Sequence, residues 1–442
     1  MRKFLAILVC KLSRFAGKLL GKGSSMPGKL ALKVCPNILG KISLPKYIIA
    51  VTGSNGKTST VEMIAHVMED AGLNIAYNKE GSNQIEGVTT FILNNCTMGG
   101  KFKKDYILIE SDERYAKYTF KHFSPTHYVI VNLYRDQLTR NGHPLWVYDA
   151  IKESIPESTK LILNADDPLI STFGEGRKNV VWYGMDNLST DTNESTGVYD
   201  DGKYCPVCGG KLSYDYRHFN HIGSFSCEKC GFKKHNTNYT VTAADLEEGV
   251  VEIDGSAEIG LAFTGIYNVY NILAAYAACC TVGIDKNQIS TSLNNFVLKN
   301  GRIVRFKLGD RTGVLLASKH ENSISYEQSL TYAATRKTPG DVVVIVDRIS
   351  RKYYTGDTSW LWDINFDILN SDSVNKIYLM GLYCSDLELR FSYTNIPKDK
   401  IKVFSDIHAG IEELRNGGKE EIYVVTCFSD KEKFLSETTM LQ

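Results

Sequence analysis

Residues 53–60 have the composition of a loop that binds phosphate. An apolar run rich in β-branched residues precedes this loop, and a helical pattern follows it. Glycines let backbone N–H groups close around phosphate oxygens, a lysine reaches the outer phosphates, and a hydroxyl can bind Mg2+. An accidental Gly-rich turn does not explain why these features occur together. We therefore predict that the following residues bind ATP: Gly53, Asn55, Gly56, Lys57, Thr58 and Ser59.

Acidic residues follow a second apolar run, residues 107–109. Glu110, Asp112 and Glu113 stand where this predicted strand ends, and α/β sheets bind their ligands at the carboxyl ends of strands. Carboxylate oxygens are ligands that Mg2+ prefers. The sequence therefore predicts a Mg2+ site here, to which the hydroxyl of Thr58 also contributes.

Two C-x-x-C pairs, separated by 18 residues, form a third chemical feature. Each pair can supply two thiolates from one tight turn, and four thiolates suit tetrahedral Zn2+. Because such a site has no open coordination position, it is structural rather than catalytic. A disulfide pair or redox chemistry could use the same residues, but the spacing favours a zinc ribbon. Its ligands would be Cys205, Cys208, Cys227 and Cys230.

The spacing of the phosphate loop resembles that of the Mur ligase family. Gly53 precedes Gly56 by only three positions, in the pattern T-G-x-N-G-K-T. Three later segments resemble the family in the same order along the chain: residues 129–138, 161–168 and 265–275. Gln137 and Tyr267 depart from this pattern, because most members have His at both positions.

The resemblance implies roles for individual residues. Glu110 matches the metal-binding glutamate of the family. Asn271 lies near the start of a helix that contacts the nucleotide, where it would read adenine. Arg302 stands in the family's G-R-x-E motif and would contact ATP, but Val304 replaces the acid of that motif.

The family's chemistry is the ATP-dependent phosphorylation of a carboxylate, followed by attack of an amine on the acyl phosphate. The cysteine insert and the segment 357–363 make the whole chain resemble one branch, the ligase subunits of lipid II isoglutaminyl synthase. That resemblance implies amidation of the D-glutamate α-carboxyl of the lipid II stem peptide to D-isoglutamine. Ammonia would come from a GatD-type class I glutamine amidotransferase, the partner subunit.

The same resemblance implies that an acid of this chain completes the catalytic triad of the partner's Cys-His pair. Such an acid orients the His and stabilises its imidazolium. Asp357 is the first candidate and Asp363 the second. A helix N-cap or a plain surface acid is the alternative for Asp357, since Thr and Ser follow it.

Departures from the branch concentrate in the last third of the chain. They include Val304, His320, which follows Lys319 where the branch usually has K-N-P, and Asp347, which stands where an Asn-Asp pair is usual. Two alternatives therefore stay open: a Mur-type ligase that adds amino acids alone, and a catalytically impaired ATP-binding paralogue. Gln137, Tyr267 and the cysteine insert weigh against the first alternative.

The composition of the 442 residues is ordinary for a folded soluble protein. Its 51 Lys and Arg against 50 Asp and Glu provide no basic field for nucleic acid, and eleven cysteines, an odd number, suit the reducing cytoplasm. Strands alternating with helices predict an α/β fold: a Mur ligase-type central ATPase domain with an inserted four-cysteine zinc ribbon, plus a C-terminal Rossmann-like α/β domain. The expected boundaries are 1–45, 46–298 with the ribbon at 201–237, and 299–442.

The N-terminal segment, residues 1–22, predicts a basic amphipathic helix. Its apolar residues recur at helical spacing between Lys and Arg: Leu5, Leu8, Leu12, Phe15 and Leu19. The apolar stretch is too short and too interrupted for a signal peptide. Two interpretations stay open, a helix docked on the protein's own surface and a peripheral contact with anionic lipid at the inner face of the membrane.

Overall fold

The computed structural model describes residues 1–19, 25–78, 83–136, 143–195, 197–261, 265–297, 303–349, 356–418 and 420–441. Gln137 and Arg302 lie outside these residues, so the ATP contact expected of Arg302 stays a prediction. The chain forms two compact units. The first comprises residues 1–134, 143–194 and 201–297, and the second comprises residues 135–142, 195–200 and 298–442.

The first unit alternates helices with strands. Its helices are α1 (Arg2–Leu19), α2 (Met26–Val34), α3 (Lys57–Asp70), α4 (Ile85–Asn94), α5 (Ala116–Phe120), α6 (Pro144–Lys152), α7 (Pro168–Ser171), α8 (Ile266–Thr281) and α9 (Lys286–Asn294). Its strands are β1 (Tyr47–Thr52), β2 (Ile75–Tyr77), β3 (Tyr106–Glu110), β4 (His127–Ile130), β5 (Lys160–Asn164), β6 (Val180–Met185), β7 (Ser213–Phe219), β8 (Ile222–Ser226), β9 (Tyr239–Asp245), β10 (Val250–Ile253) and β11 (Ala257–Gly260).

A nine-stranded sheet organises this unit, in the order β11-β10-β9-β6-β5-β4-β1-β3-β2. The strands from β9 to β2 in that order are parallel, and β10 and β11 add an antiparallel edge. Parallel strands are covered on both faces, which explains the nearly continuous apolar runs in β1, β3, β4 and β5. The predicted α/β fold is confirmed. Because β1 lies between β3 and β4, the residues that follow these three strands meet at one edge of the sheet.

Apolar clusters attach the helices to this sheet. Helices α1, α2 and α4 share one cluster with β1 and β3, and α5, α6 and α7 share another with β4 and β5. The hairpin β7-β8 stands apart from the large sheet and is flanked by the two C-x-x-C pairs. It lies in the connection between β6 and β9, which are adjacent parallel strands.

Helix α1 docks on the protein, but not through the predicted apolar stripe. The buried side chains are Ala6, Ile7 and Cys10, which pack against α2, α4 and neighbouring residues. Leu12 and Phe15 of the predicted stripe are exposed. Within the described part of the chain, no helix is both long and apolar enough to cross a bilayer.

The second unit repeats the α/β plan on a smaller scale. Its helices are α10 (Ser323–Ala334), α11 (Cys384–Phe391), α12 (Ile407–Arg415) and α13 (Lys431–Leu435), and 3-10 helices span Ser359–Asp363, Phe366–Leu369 and Lys398–Lys400. Its strands are β12 (Ile303–Leu308), β13 (Arg311–Ser318), β14 (Gly340–Ile345), β15 (Val374–Met380), β16 (Ile401–Phe404), β17 (Glu421–Cys427) and β18 (Thr439–Met440). The sheet order is β16-β15-β14-β17-β13-β12-β18, with parallel pairing from β16 to β13. The strands β14, β15 and β17 match the apolar runs from which this domain was predicted.

Candidate active site

The phosphate loop connects the buried end of β1 to the start of α3. Gly53 and Gly56 have φ angles of 142° and 78°, which residues with side chains rarely adopt. A Cβ atom at Gly53 would lie 2.9 Å from the backbone oxygen of Asn132, and one at Gly56 would lie 2.0 Å from Asn271 Oδ1. The glycines therefore let the loop fit between the residues that follow β4 and the first turns of α8.

Two residues after β4 hold this loop in shape. Asn55 N donates to Asn132 Oδ1 at 2.8 Å, and Asn132 Nδ2 donates to the Asn55 carbonyl at 3.1 Å. Ser54 N donates to the Asn132 carbonyl at 3.0 Å, and Tyr134 N donates to Ser54 Oγ at 3.0 Å. Because the loop backbone is fixed in this way, less conformational entropy is lost when it binds a ligand.

Lys57 is the first residue of α3, and its side chain is buried. Its Nζ lies 2.9 Å from Glu113 Oε2. The same ammonium group donates to the backbone oxygen of Gly53 and, at 3.4 Å, to that of Ser54. A buried ammonium requires an opposite charge because its desolvation is costly. Glu113 supplies that charge and holds the Lys57 side chain against the backbone of the phosphate loop.

Glu110 and Thr58, the two predicted Mg2+ ligands, are brought together. Thr58 Oγ1 donates to Glu110 Oε2 at 2.9 Å, and Asn83 Nδ2 donates to Glu110 Oε1 at 3.2 Å. Asn78 pairs with the Glu110 backbone, since Glu110 N donates to Asn78 Oδ1 at 2.8 Å and Asn78 Nδ2 donates to the Glu110 carbonyl at 3.0 Å. A carboxylate and a hydroxyl oxygen thus meet beside the phosphate loop, and both are ligand types that suit Mg2+.

Asn271 lies on α8, and its buried side chain contacts the phosphate loop at Gly56. This position places the amide next to the loop that would hold phosphate groups. The reading of adenine that we expect from Asn271 stays a prediction. Tyr270, its neighbour, points elsewhere and donates its hydroxyl to Asp166 at 2.7 Å.

The four cysteines of the two C-x-x-C pairs meet in one cluster. Cys205 Sγ lies 3.7 Å from Cys230 Sγ, and Cys208 Sγ lies 3.6 Å from Cys227 Sγ, while all four sulfurs lie within 4.8 Å of one another. In a tetrahedral zinc site with Zn–S bonds of about 2.3 Å, the sulfurs are about 3.8 Å apart. The geometry therefore fits a four-thiolate metal site and does not pair the cysteines as disulfides.

A buried polar cluster joins the cysteine insert to the large sheet. Asp166, which follows β5, accepts hydrogen bonds from Tyr270 at 2.7 Å and from the Met185 backbone at 2.7 Å, and it lies 2.6 Å from Lys234 Nζ. His218, which lies between the cysteine pairs, contacts Asp191 through Nδ1 at 2.8 Å. The insert is thus tied to the same carboxylate as helix α8.

Asp357 is exposed at the start of the 3-10 helix Ser359–Asp363. Its Oδ1 accepts the backbone N–H of Ser359 at 2.9 Å. Hydrogen bonds from the Ser359 hydroxyl and backbone hold the pKa of Asp357 below its ordinary value. This is a local hydrogen bond to the residue two positions on, while the N-cap position of the 3-10 helix is held by Thr358. The carboxylate is also exposed and ionised, as a group offered to another protein would need to be.

Some of the residues that follow Asp357 are buried, and others are exposed to solvent. Trp360 and Leu361 are buried in the core of the second unit. Trp362 is exposed, and its ring lies 5.2 Å from that of Tyr393, with the Arg390 guanidinium 5.4 Å from the Trp362 ring. Arg390 is itself buried, whereas Trp362 and Tyr393 are exposed, and exposed Trp and Tyr side chains are enriched at the centres of protein interfaces.

His320 and Asp347, which depart from the pattern of the branch, belong to one hydrogen-bonded cluster of the second unit. His320 Nδ1 contacts the Arg348 carbonyl at 3.0 Å, and its Nε2 contacts Ser429 Oγ at 2.6 Å. Asp430 accepts the backbone N–H groups of Asp347 at 3.1 Å and Arg348 at 3.0 Å. Burial raises the pKa of Asp430 above its ordinary value. The replaced residues thus brace the loop that follows β14.

Sequence reasoning did not identify Glu113, Asn132, Asn83 and Asn78 as partners of the site residues. Glu113 and Asn132 each stand near the end of a predicted strand, which was the available signal. Asn83 and Asn78 carry no comparable pattern, because they reach Glu110 from the connection between β2 and α4.

Two protein families match the chain. The Mur ligase middle domain matches residues 51–279, which include the phosphate loop, Glu110 and the cysteine insert. The MurT ligase C-terminal domain matches residues 320–430, which include Asp357.

Two curated relatives extend over most of the chain. The lipid II isoglutaminyl synthase (glutamine-hydrolyzing) subunit MurT of Staphylococcus aureus strain COL is 30% identical, covering 90% of this chain and 89% of the relative. The subunit of the same name from Streptococcus pneumoniae R6 is 28% identical, covering 97% and 95%.

Solved structures share the fold at lower identity. A pseudomurein peptide ligase type C from Methanothermus fervidus superposes with a TM-score of 0.70 at 23% identity, covering 91% of this chain and 80% of that structure. MurF from Acinetobacter baumannii gives a TM-score of 0.65 at 16% identity, covering 92% and 79%. With the MurT relatives matched over nearly their full length, the chain belongs to the Mur ligase family of ATP-dependent ligases, in its MurT branch.

Proposed function

We propose that the chain is the ligase subunit of a lipid II isoglutaminyl synthase. In the reaction, the D-glutamate α-carboxylate of the lipid II stem peptide attacks the γ-phosphate of ATP, giving an acyl phosphate and ADP. Ammonia then attacks the acyl carbon and phosphate leaves, giving D-isoglutamine. Because ATP is the phosphoryl donor, we place this reaction in the cytoplasm.

The observation that carries the proposal is the presence of two separate chemical centres in one chain. The first unit holds a braced phosphate loop with Lys57 and the Thr58–Glu110 pair. The second unit exposes Asp357 within the segment that matches the MurT C-terminal family. A ligase that adds amino acids alone has no need of an exposed acid that serves a second protein.

The phosphate loop would bind ATP through its backbone N–H groups, with Lys57 contacting the outer phosphates. Glu110 and Thr58 would hold Mg2+, which neutralises phosphate charge during transfer. Glu113 would position Lys57, and Asn132 would keep the loop in shape. Asn271 would approach the nucleotide from α8.

Asp357 would complete the catalytic triad of a GatD-type class I glutamine amidotransferase. In that role it would accept a hydrogen bond from the partner's His and stabilise the imidazolium formed during glutamine hydrolysis. Trp362 and Tyr393 would form part of the surface that the partner covers. The ammonia released there would supply the ligase reaction.

The proposal is tested by mixing the purified chain with its glutaminase partner, lipid II, ATP, Mg2+ and glutamine. We expect mass spectrometry to detect amidated stem peptide only when ATP is present, and ammonium chloride to replace glutamine and partner together. Incorporation of an added amino acid in place of ammonia would indicate the stand-alone ligase. Nucleotide binding without product from either nitrogen source would indicate the catalytically impaired paralogue. That alternative is open because Val304 replaces the acid of the family's G-R-x-E motif.

We also propose that the four cysteines bind one structural Zn2+. Metal analysis of chelator-free protein should find about one zinc per chain. Cys230 is exposed, so a serine there would ordinarily change stability little. If Cys230 is a zinc ligand, Cys230→Ser should lower the free energy of unfolding by roughly 3 kcal/mol or more.

The matched control is Cys280→Ser, which alters a partly exposed cysteine outside the cluster. It should keep the zinc content and most of the stability. Protein that contains no zinc, or equal effects of the two substitutions on thermal unfolding, would contradict the zinc assignment.

A further inference from the structure

Helix α1 presents an apolar face to the solvent. Phe4, Leu5, Leu12 and Phe15 are 53%, 47%, 60% and 67% exposed. With 3.6 residues per turn, these four residues and Leu8 fall within one arc of about 100°. Exposed apolar patches of this kind mark sites of interaction with a protein or a membrane. The outer face of α1 is therefore a candidate binding surface, which we call the outer α1 face.

The opposite side of α1 is fixed to the protein. Ala6, Ile7 and Cys10 are fully buried against α2 and α4. Lys11, beside the apolar arc, donates from Nζ to the Asn94 carbonyl at the end of α4, at 3.0 Å. The helix cannot turn its exposed apolar residues inward without losing these contacts, so another molecule is needed to cover them.

The charge of this part of the chain indicates what that molecule is. Residues 1–46 contain ten Lys and Arg and no Asp or Glu, whereas the remaining residues contain 41 Lys and Arg against 50 Asp and Glu. The basic charge is thus concentrated in the segment that contains α1, while the rest of the chain has a net negative charge. An apolar face flanked by cations matches the headgroup and upper acyl region of an anionic bilayer.

We propose that the outer α1 face binds the surface of an anionic membrane, with α1 lying parallel to it. Apolar side chains of α1 would enter the boundary between headgroups and acyl chains. The basic residues of α1 and α2, such as Arg2 and Lys29, would contact lipid phosphates. This proposal deepens the proposed function, since it would hold the ligase at the surface where a lipid-linked substrate is found.

The test measures binding of the full chain to sedimenting vesicles. Vesicles of phosphatidylcholine with phosphatidylglycerol should bind the wild type, and vesicles of phosphatidylcholine alone should bind it far less. The double variant Leu12→Ser, Phe15→Ser should weaken binding about tenfold or more. Its control is Leu145→Ser, Trp146→Ser, an equally exposed Leu and aromatic pair on α6, which should bind as the wild type does.

Charge is tested separately with the double variant Lys29→Glu, Lys33→Glu on α2. Its control is the double variant Lys121→Glu, Lys178→Glu, which changes two exposed lysines elsewhere in the first unit. Only the first pair should weaken vesicle binding. Equal binding by the wild type and the Leu12, Phe15 variant would overturn the proposal. A dimer in lipid-free solution that this variant dissociates would also overturn it, because the face would then bind a second copy.

These outcomes are separable from those of the proposed function. Vesicle binding requires neither ATP nor a glutaminase, so its failure would leave the amidation reaction untouched. Conversely, intact vesicle binding without amidation of lipid II would contradict the proposed function alone.

Discussion

Lys57→Ala should reduce ATP-dependent turnover by roughly 10³-fold, because the ammonium group stabilises charge that develops on the transferred phosphoryl group. It should also lower the free energy of unfolding by about 3–5 kcal/mol, because it removes the ammonium group that lies against the buried Glu113 carboxylate. Turnover of ATP and thermal unfolding measure the two effects. Retained turnover would contradict the assignment of the phosphate loop.

A second substitution separates the two effects. In Lys57→Ala, Glu113→Gln, the buried side chain that faced Lys57 is neutral as well, so stability should recover in large part while turnover stays low. Lys178→Ala, at an exposed lysine of the same unit, should leave both quantities unchanged. If the double variant regained activity together with stability, Lys57 would have only a structural role.

Asp357→Asn should reduce glutamine-dependent amidation by about 10³–10⁴-fold, the loss typical when the acid of a triad becomes an amide. The reason is that an amide favours the wrong tautomer of the partner's His. Asparagine keeps an oxygen that can accept the Ser359 N–H, so the 3-10 helix should keep its start. Amidation is measured with purified partner and lipid II, with glutamine and then with ammonium chloride.

Ammonia distinguishes the possible roles of this acid. If Asp357 serves only the glutaminase, ammonium chloride should restore amidation to the wild-type rate. Equal loss with both nitrogen sources, in a complex that still assembles, would place Asp357 in the ligase reaction and leave Asp363 as the candidate. Asp363→Asn is therefore measured alongside. If neither variant loses activity, Asp357 is a surface acid whose contact is the local hydrogen bond with Ser359.

The strand, loop and helix of the phosphate site could be predicted because their signal is local. The apolar run 47–51, the glycines and Lys57 occupy neighbouring positions, and the structure places β1, the loop and α3 there. The four cysteines were predictable for a similar reason, since each turn that supplies two sulfurs is contained within four residues. In both cases the chemistry depends little on distant parts of the chain.

The contacts that escaped prediction depend on distant residues. The sequence predicted that Lys57 contacts phosphate but not that it pairs with Glu113, and this pairing buries both charges. For α1, helical spacing identified an apolar stripe through Leu12 and Phe15. The side chains that pack against α2 and α4 are instead those of the opposite face, Ala6, Ile7 and Cys10. Periodicity shows that a helix has an apolar face. It does not show which neighbour that face meets.

The position of the cysteine insert has a consequence for the order of folding. Residues 186–238 separate β6 from β9, which pair side by side in the sheet, and Asn271, which contacts the phosphate loop at Gly56, comes after both. Closing so long a connection costs chain entropy. A metal that gathers the four cysteines early would shorten the free part of this connection. Refolding should therefore be faster with zinc than with a chelator, and the ability to bind ATP should return only after β9 and α8 have docked.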